Sequence, residues 1–169
     1  TRCAGIGAWN YPLQIACWKA APALASGDAF ILRPSEMTPL SGNRIAKLFA
    51  EAGLPTGLFQ VIHGDYHIRR AICEHPCIAK ISLTGGVETG KLIMAQSAQS
   101  LKKVTLKLGG KSPLIVFADA NFDTAVQTAL DSNLYTAGGV WSNATLIFVE
   151  DSIAADFIAA MVEKAEAMS

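Results

Sequence analysis

AKISLTGGVETGKLIMAQSAQSLKKVTLKL, residues 79–108, decides the fold. AKISLT is an apolar run of strand length, and the glycine pair Gly85-Gly86 breaks it. From Glu88 to about Ala98 the apolar residues recur at helical spacing, and KVTLKL then returns to a strand pattern. The unit is strand, helix, strand, with strands apolar enough to be covered on both sides.

Working outward, the same alternation continues. The run PLQIACWKAAPALASG has helical spacing and ends at Gly27, a candidate C-cap, and AFILR follows as a short buried strand. Thr38 is a candidate cap for a second helix whose Ile45, Leu48, Phe49 and Ala52 share one face; LFQVIHG reads as the next strand, and a helix near Ile68 to Glu74 follows. These units predict an α/β fold: a doubly wound, Rossmann-like parallel sheet with helices on both faces and right-handed crossovers. From Gly109 the pattern shifts. GGKSP breaks the chain, LIVF is a strand, Asn121 to about Thr136 a helix, TLIFV a strand, and Ala154 to Met168 a helix. The expected organisation is one domain over 1–108 and the beginning of a second α/β subdomain over 109–169, with both ends of the chain reading as cut from something longer.

Composition narrows the function classes. With 14 basic and 14 acidic side chains there is no electrostatic footprint for nucleic acid, and no apolar run is long enough to span a membrane. Cys3, Cys17, Cys73 and Cys77 form neither a CxxC pair nor a disulfide-dense pattern, which predicts a reducing, cytoplasmic setting. His63, His67 and His75 with Cys73 and Cys77 match no common zinc spacing, so no metal site is expected. Hydrophobic residues reach 51% against 17% charged, a balance that predicts further protein packed against part of the surface.

Three glycine arrangements bear on ligands. GIGAWN has Asn10 where a dinucleotide fingerprint has its third glycine. GGVETGKL follows a strand and opens a helix as phosphate cradles do, but Leu92 replaces the hydroxyl that would hold Mg²⁺, which argues against nucleotide hydrolysis. LGGKSP is a sharp exit from a strand.

Taken in order, GIGAWNYPLQIACWKAAPALASG, RPSEMTPL, EAGLP, ISLTGGVETGK, VTLKLGGKSPLIVF and GGVWSN resemble the NAD(P)-dependent aldehyde dehydrogenases, nearest to the betaine-aldehyde and aminobutyraldehyde type. The resemblance implies a cysteine thiolate that attacks the aldehyde, hydride transfer to NAD, and a glutamate that activates water. Asn10 matches the side-chain oxyanion donor, with a helix N-cap as its plainer role. Trp141 stands at the nucleophile position, and an indole cannot attack a carbonyl. Its neighbour Ser142 has no evident base and reads as a surface or capping hydroxyl. Lys107 stands at the base position, where an ammonium cannot accept a proton from water; its plain reading is a solvated strand lysine. Leu146 replaces a usual arginine, and Arg69 replaces a small glycine beside the adenosine half of the cofactor.

The cofactor positions implied by the resemblance are largely retained: Ile6, Ala8, Trp9, Arg33, Ser35, Glu36, Thr84, Gly85, Gly86, Thr89 and Leu108. Glu36 favours NAD over NADP by repelling a 2′-phosphate. The leading expectation is a catalytically silent relative with residual, weakened NAD binding. Two alternatives stand beside it. One is a structural or regulatory module that forms a homo-oligomer or pairs with an intact aldehyde dehydrogenase homologue; the other is an active NAD-dependent aldehyde dehydrogenase of which this chain is an incomplete or altered copy.

Overall fold

The computed structural model describes residues 1–168. They fold as two compact units, Thr1–Leu108 and Gly109 onward.

The first unit alternates β1 (Arg2–Ile6), α1 (Pro12–Ala25), β2 (Ala29–Arg33), α2 (Leu40–Glu51), β3 (Phe59–Val61), α3 (Tyr66–Glu74), β4 (Lys80–Gly85), α4 (Val87–Ala98) and β5 (Lys103–Leu108). The five strands form one sheet in the order β3-β2-β1-β4-β5, and every neighbouring pair is parallel. The doubly wound sheet read from the sequence is therefore present. Its order reverses between β1 and β4, and at such a switch point the loops leaving adjacent strands diverge to opposite faces and open a crevice.

Alternation along the strands builds two cores. Cys3, Phe30, Leu32 and Phe59 pack with Ala16, Ala20 and Ile45 from α1 and α2. Ala4, Ile6, Ile81 and Leu83 pack with Ile72, Cys73 and Ile93 from α3 and α4. Because successive side chains of a strand point to opposite faces, β1 and β2 feed both layers, while β4 and β5 give their apolar residues to the second alone. Phe30 stacks on Phe59 with ring centroids 6.0 Å apart.

The glycine predicted to end α1 does so. Gly27 has φ 74°, its N–H donates to the Leu24 carbonyl, and the Asp28 N–H donates to the Ala23 carbonyl, closing a Schellman turn. Two local expectations fail. Thr38 does not cap α2: the helix begins at Leu40 after Pro39, which already has helical φ and ψ, and no side chain caps it. Leu48 is exposed, and the face α2 buries is that of Gly42, Ile45, Ala46 and Phe49. At Gly42 an added Cβ would lie 3.3 Å from Val61 Cγ1, so the helix sits close to β3 at that residue.

The second unit holds β6 (Pro113–Val116), α5 (Phe122–Leu134), β7 (Leu146–Val149) and α6 (Asp151–Glu166). β6 and β7 pair in parallel. Val116, Val126, Ala129, Leu130 and Phe157 form its core. Asn121 caps α5 by accepting from the Thr124 N–H at 3.0 Å. The expected helix to Thr136 stops at Leu134, because Thr136 and Ala137 adopt left-handed conformations with φ of 48° and 52°. A side chain pays a steric penalty there, so the helix cannot run on through them.

Candidate cofactor site

The carboxyl ends of β1, β2, β4 and β5 share one edge of the first unit, and most of the candidate residues lie there. β1 ends at Ile6, and Ala8, Trp9 and Asn10 follow; Ile6 and Ala8 are buried, and Trp9 is exposed. β2 ends at Arg33, followed by Ser35 and Glu36. The Gly7 N–H donates to the Arg33 carbonyl at 2.9 Å, tying these two exits together. Thr84 and Gly85 end β4 opposite Lys107 and Leu108 of β5 in the parallel register. Gly86 then caps α4 with no side-chain hydrogen bond, so the first-turn amides of this helix are not claimed by a capping side chain. Thr89 lies in that first turn and is half-buried.

Arg33 organises the β2 corner. Its side chain is 7% exposed, and its Nη2 donates to Glu36 Oε1 and, at 2.6 Å, to the Gly64 carbonyl. Gly64 has φ 148°, and an added Cβ would meet Ile68 Cγ1 at 2.3 Å, so only glycine brings its carbonyl to Arg33 in this turn. Arg33 Nε is buried without an acceptor among the described residues, and so is Arg69 Nε on α3. A buried donor left unpaired costs about 1–3 kcal/mol, so Arg33 Nε, at the end of β2, suits an oxygen-rich partner. Ser35 Oγ accepts from the Met37 N–H at 3.3 Å and holds the turn that carries Glu36.

Asn10 is half-buried after β1, and Lys107 is exposed on β5; both make interactions within the protein. In the second unit, Trp141 is half-buried and Ser142 exposed in the turn before β7, and Leu146 is exposed at the start of that strand. Among the described residues no three His, Cys, Asp or Glu side chains gather as metal ligands.

Lys19 escaped the sequence reading. It lies on the buried face of α1 with Ile15, Ala16 and Ala20, and burial pushes its ammonium down from 10.5 to about 8. Nζ donates to Ser82 Oγ at 3.0 Å, a neutral partner. The available signal was its spacing, three residues after Ala16 and four after Ile15, which puts a cation in an apolar stripe. Folding lowers its proton affinity, so the charged form opposes folding below about pH 8, and that penalty fades as pH rises from about 8 to 10.5. Lys19→Met is expected to raise stability near neutral pH by about 1–2 kcal/mol, with the gain shrinking through that window. Thermal melts of both proteins across a pH series measure it.

A doubly wound sheet with an arginine–glutamate corner and a helix N-terminus at its carboxyl edge has the architecture of a Rossmann-like domain. Residues 1–169 match the model of the aldehyde dehydrogenase family. The chain belongs to that family. Among solved structures it is similar to the betaine aldehyde dehydrogenase of Staphylococcus aureus in complex with NAD⁺, at 40% identity and TM-score 0.96 over 98% of this chain and 33% of that one. An aldehyde dehydrogenase from Brucella melitensis biovar abortus 2308 matches at 36% identity and TM-score 0.95, covering 99% of this chain and 35% of that one. An E. coli NADP-dependent enzyme matches at 37% identity and TM-score 0.93, covering 96% and 34%. The chain thus spans about a third of the length of these relatives. Among the described residues no helix is long and apolar enough to cross a membrane.

Proposed function

We propose that this chain is a catalytically silent member of the aldehyde dehydrogenase family that keeps a cradle for NAD. The observation that carries the reading is a pair of substitutions: an indole, Trp141, at the family's nucleophile position and an ammonium, Lys107, at its base position. Attack needs a soft ionisable atom and water activation needs a proton acceptor; neither side chain supplies its part. Asn10 at the oxyanion position can donate a hydrogen bond, but with no nucleophile there is no oxyanion to stabilise.

The residues present fit the dinucleotide. Glu36 would accept from ribose hydroxyls, the buried Arg33 Nε would donate to the same sugar, and the first turn of α4 after Gly85-Gly86, with Thr89, would meet the pyrophosphate. Ile6, Ala8, Trp9, Thr84 and Leu108 would frame the nicotinamide side. In active relatives the bound cofactor accepts hydride. Arg69, in place of glycine, crowds the adenosine half and weakens the fit.

Titration calorimetry tests the cradle. NAD⁺ is expected to bind at least about tenfold more tightly than NADP⁺, because the Glu36 carboxylate repels a 2′-phosphate, and Arg69→Gly is expected to tighten NAD⁺ by a similar factor. Heat of binding equal for both nucleotides, or absent from the wild type and Arg69→Gly alike, would remove the cradle from this reading.

The exposed apolar residues support a second element, association with a further copy or with an intact homologue. Trp18, Leu40, Leu101, Ile115, Phe117 and Phe148 are each more than half exposed. Sedimentation with and without a full-length relative is expected to show a species heavier than the monomer; a lone monomer in both runs counts against it. A cytoplasmic setting is proposed on the thiol content alone, with Cys3, Cys17, Cys73 and Cys77 all free.

A further inference from the structure

A cleft of about 290 Å³ opens beside Lys19, lined by Trp18, Phe30, Ser82 and Thr105 among others. It lies on the α1 face of the sheet. There Lys80 and Ser82 of β4 and Thr105 of β5 replace the apolar residues, Ile81 and Leu83, that the opposite face buries. Gly5 makes the room: a Cβ would stand 2.5 Å from Phe30 Cζ and 3.1 Å from Lys19 Cδ, so the lysine stem runs past a bare backbone. The stem is thereby held and the amine is placed at the cleft with one hydroxyl, Ser82 Oγ, 3.0 Å away.

We propose that Lys19 is an imine-forming amine that captures small, unhindered aldehydes in this cleft. The neutral Nζ lone pair attacks the carbonyl carbon, and the C=O π electrons move to oxygen. A proton passes from nitrogen to that oxygen, with the Ser82 hydroxyl in place to relay it, to give a carbinolamine. The nitrogen lone pair then expels hydroxide to form the C=N bond, and the hydroxide takes the remaining Nζ proton and leaves as water. The amine and aldehyde condense with release of one water, and nothing is oxidised or reduced. The step needs neither NAD nor a thiol, so it stands or falls apart from the dinucleotide cradle.

The environment suits the free amine. Burial favours the neutral form of Lys19, and Trp18, Phe30 and Pro22 give the cleft an apolar wall for an alkyl chain. The charged and titratable groups around it are Lys80, Asp28 and Cys3, which line the same cleft, with Lys103 and Lys107 at the alternate positions of β5 that share a face with Thr105. Asp28 is itself engaged by the chain's amino group at 2.8 Å.

Incubation of the protein with propanal and sodium cyanoborohydride, followed by proteolysis and mass spectrometry, tests this. The reagent reduces imines to stable secondary amines and leaves reversible thiol adducts of Cys17 and Cys77 untrapped. At neutral pH Lys19 is expected to gain one propyl group about tenfold faster than the exposed Lys47 and Lys91. The advantage should vanish in denaturant, and Ser82→Ala should slow Lys19 alone. Lys19→Arg should abolish that label while the surface lysines react as before. Comparison within the unaltered chain keeps the test valid if a variant fails to fold. Equal labelling of Lys19, Lys47 and Lys91, or no label on Lys19, would overturn the proposal.

Discussion

Mixed with NAD⁺ and betaine aldehyde, the purified protein is expected to form no NADH above the buffer rate. Where catalytic groups act as a unit, removing the nucleophile alone costs on the order of 10⁶ in turnover. On the proposed reading Lys107 also takes the place of the base, so the second half of the reaction, release of the acyl group to water, would have no proton acceptor at that position. Absorbance at the NADH band measures the outcome, and the covalent record is a second readout: mass spectrometry is expected to find no acyl adduct on the protein. Steady NADH production that disappears on Asn10→Ala would show that a nucleophile acts within reach of the oxyanion position, and the silent reading would be lost. Capture of aldehyde at Lys19 is compatible with the expected result, since an imine passes no hydride to the nucleotide.

Phe157→Ala is expected to destabilise the second unit by about 3–5 kcal/mol, a large part of the stability available to so small a core. The ring is 1% exposed and meets Phe122 edge-on with centroids 6.0 Å apart, among Val116, Val126, Ala129 and Leu130. Truncation leaves a cavity that two short strands and two helices cannot close without losing their packing. Amide hydrogen exchange resolves the effect: protection is expected to fall across α5, β7 and α6 and to persist in β1, β4 and α4. Loss of protection over both units together would mean that they unfold as one.

Much of the fold was legible because local signals agreed with one another. AFILR, AKISLT and KVTLKL are strands at or within a residue of their expected limits. Gly27 and Asn121 stop and start helices by backbone and side-chain hydrogen bonds that depend only on neighbours in sequence. The failures are also physical. Thr38 has the chemistry of a cap, but Pro39 already occupies helical φ and ψ, so the helix begins after it. Leu48 has the spacing of a core residue, yet the face of α2 that meets β3 is the one carrying Gly42, where only a missing side chain allows close approach.

The candidate site divides the same way. Arg33, Glu36, Thr84, Gly85 and Lys107 were marked by the family resemblance of RPSEMTPL, ISLTGGVETGK and VTLKLGGKSPLIVF, and the structure places all five at or just beyond the carboxyl ends of strands β2, β4 and β5. That Arg33 grips both Glu36 and the Gly64 carbonyl across 31 residues is a tertiary fact. So is the state of Lys19: its charge is written in the chain, but its proton affinity depends on burial and on Ser82, a residue 63 positions away. By itself the sequence determined the order of strands and helices and the family. Only the tertiary structure decided which of those groups are dry, which share a cleft, and which donors lack a partner, because solvation and electrostatics are set by neighbours in space.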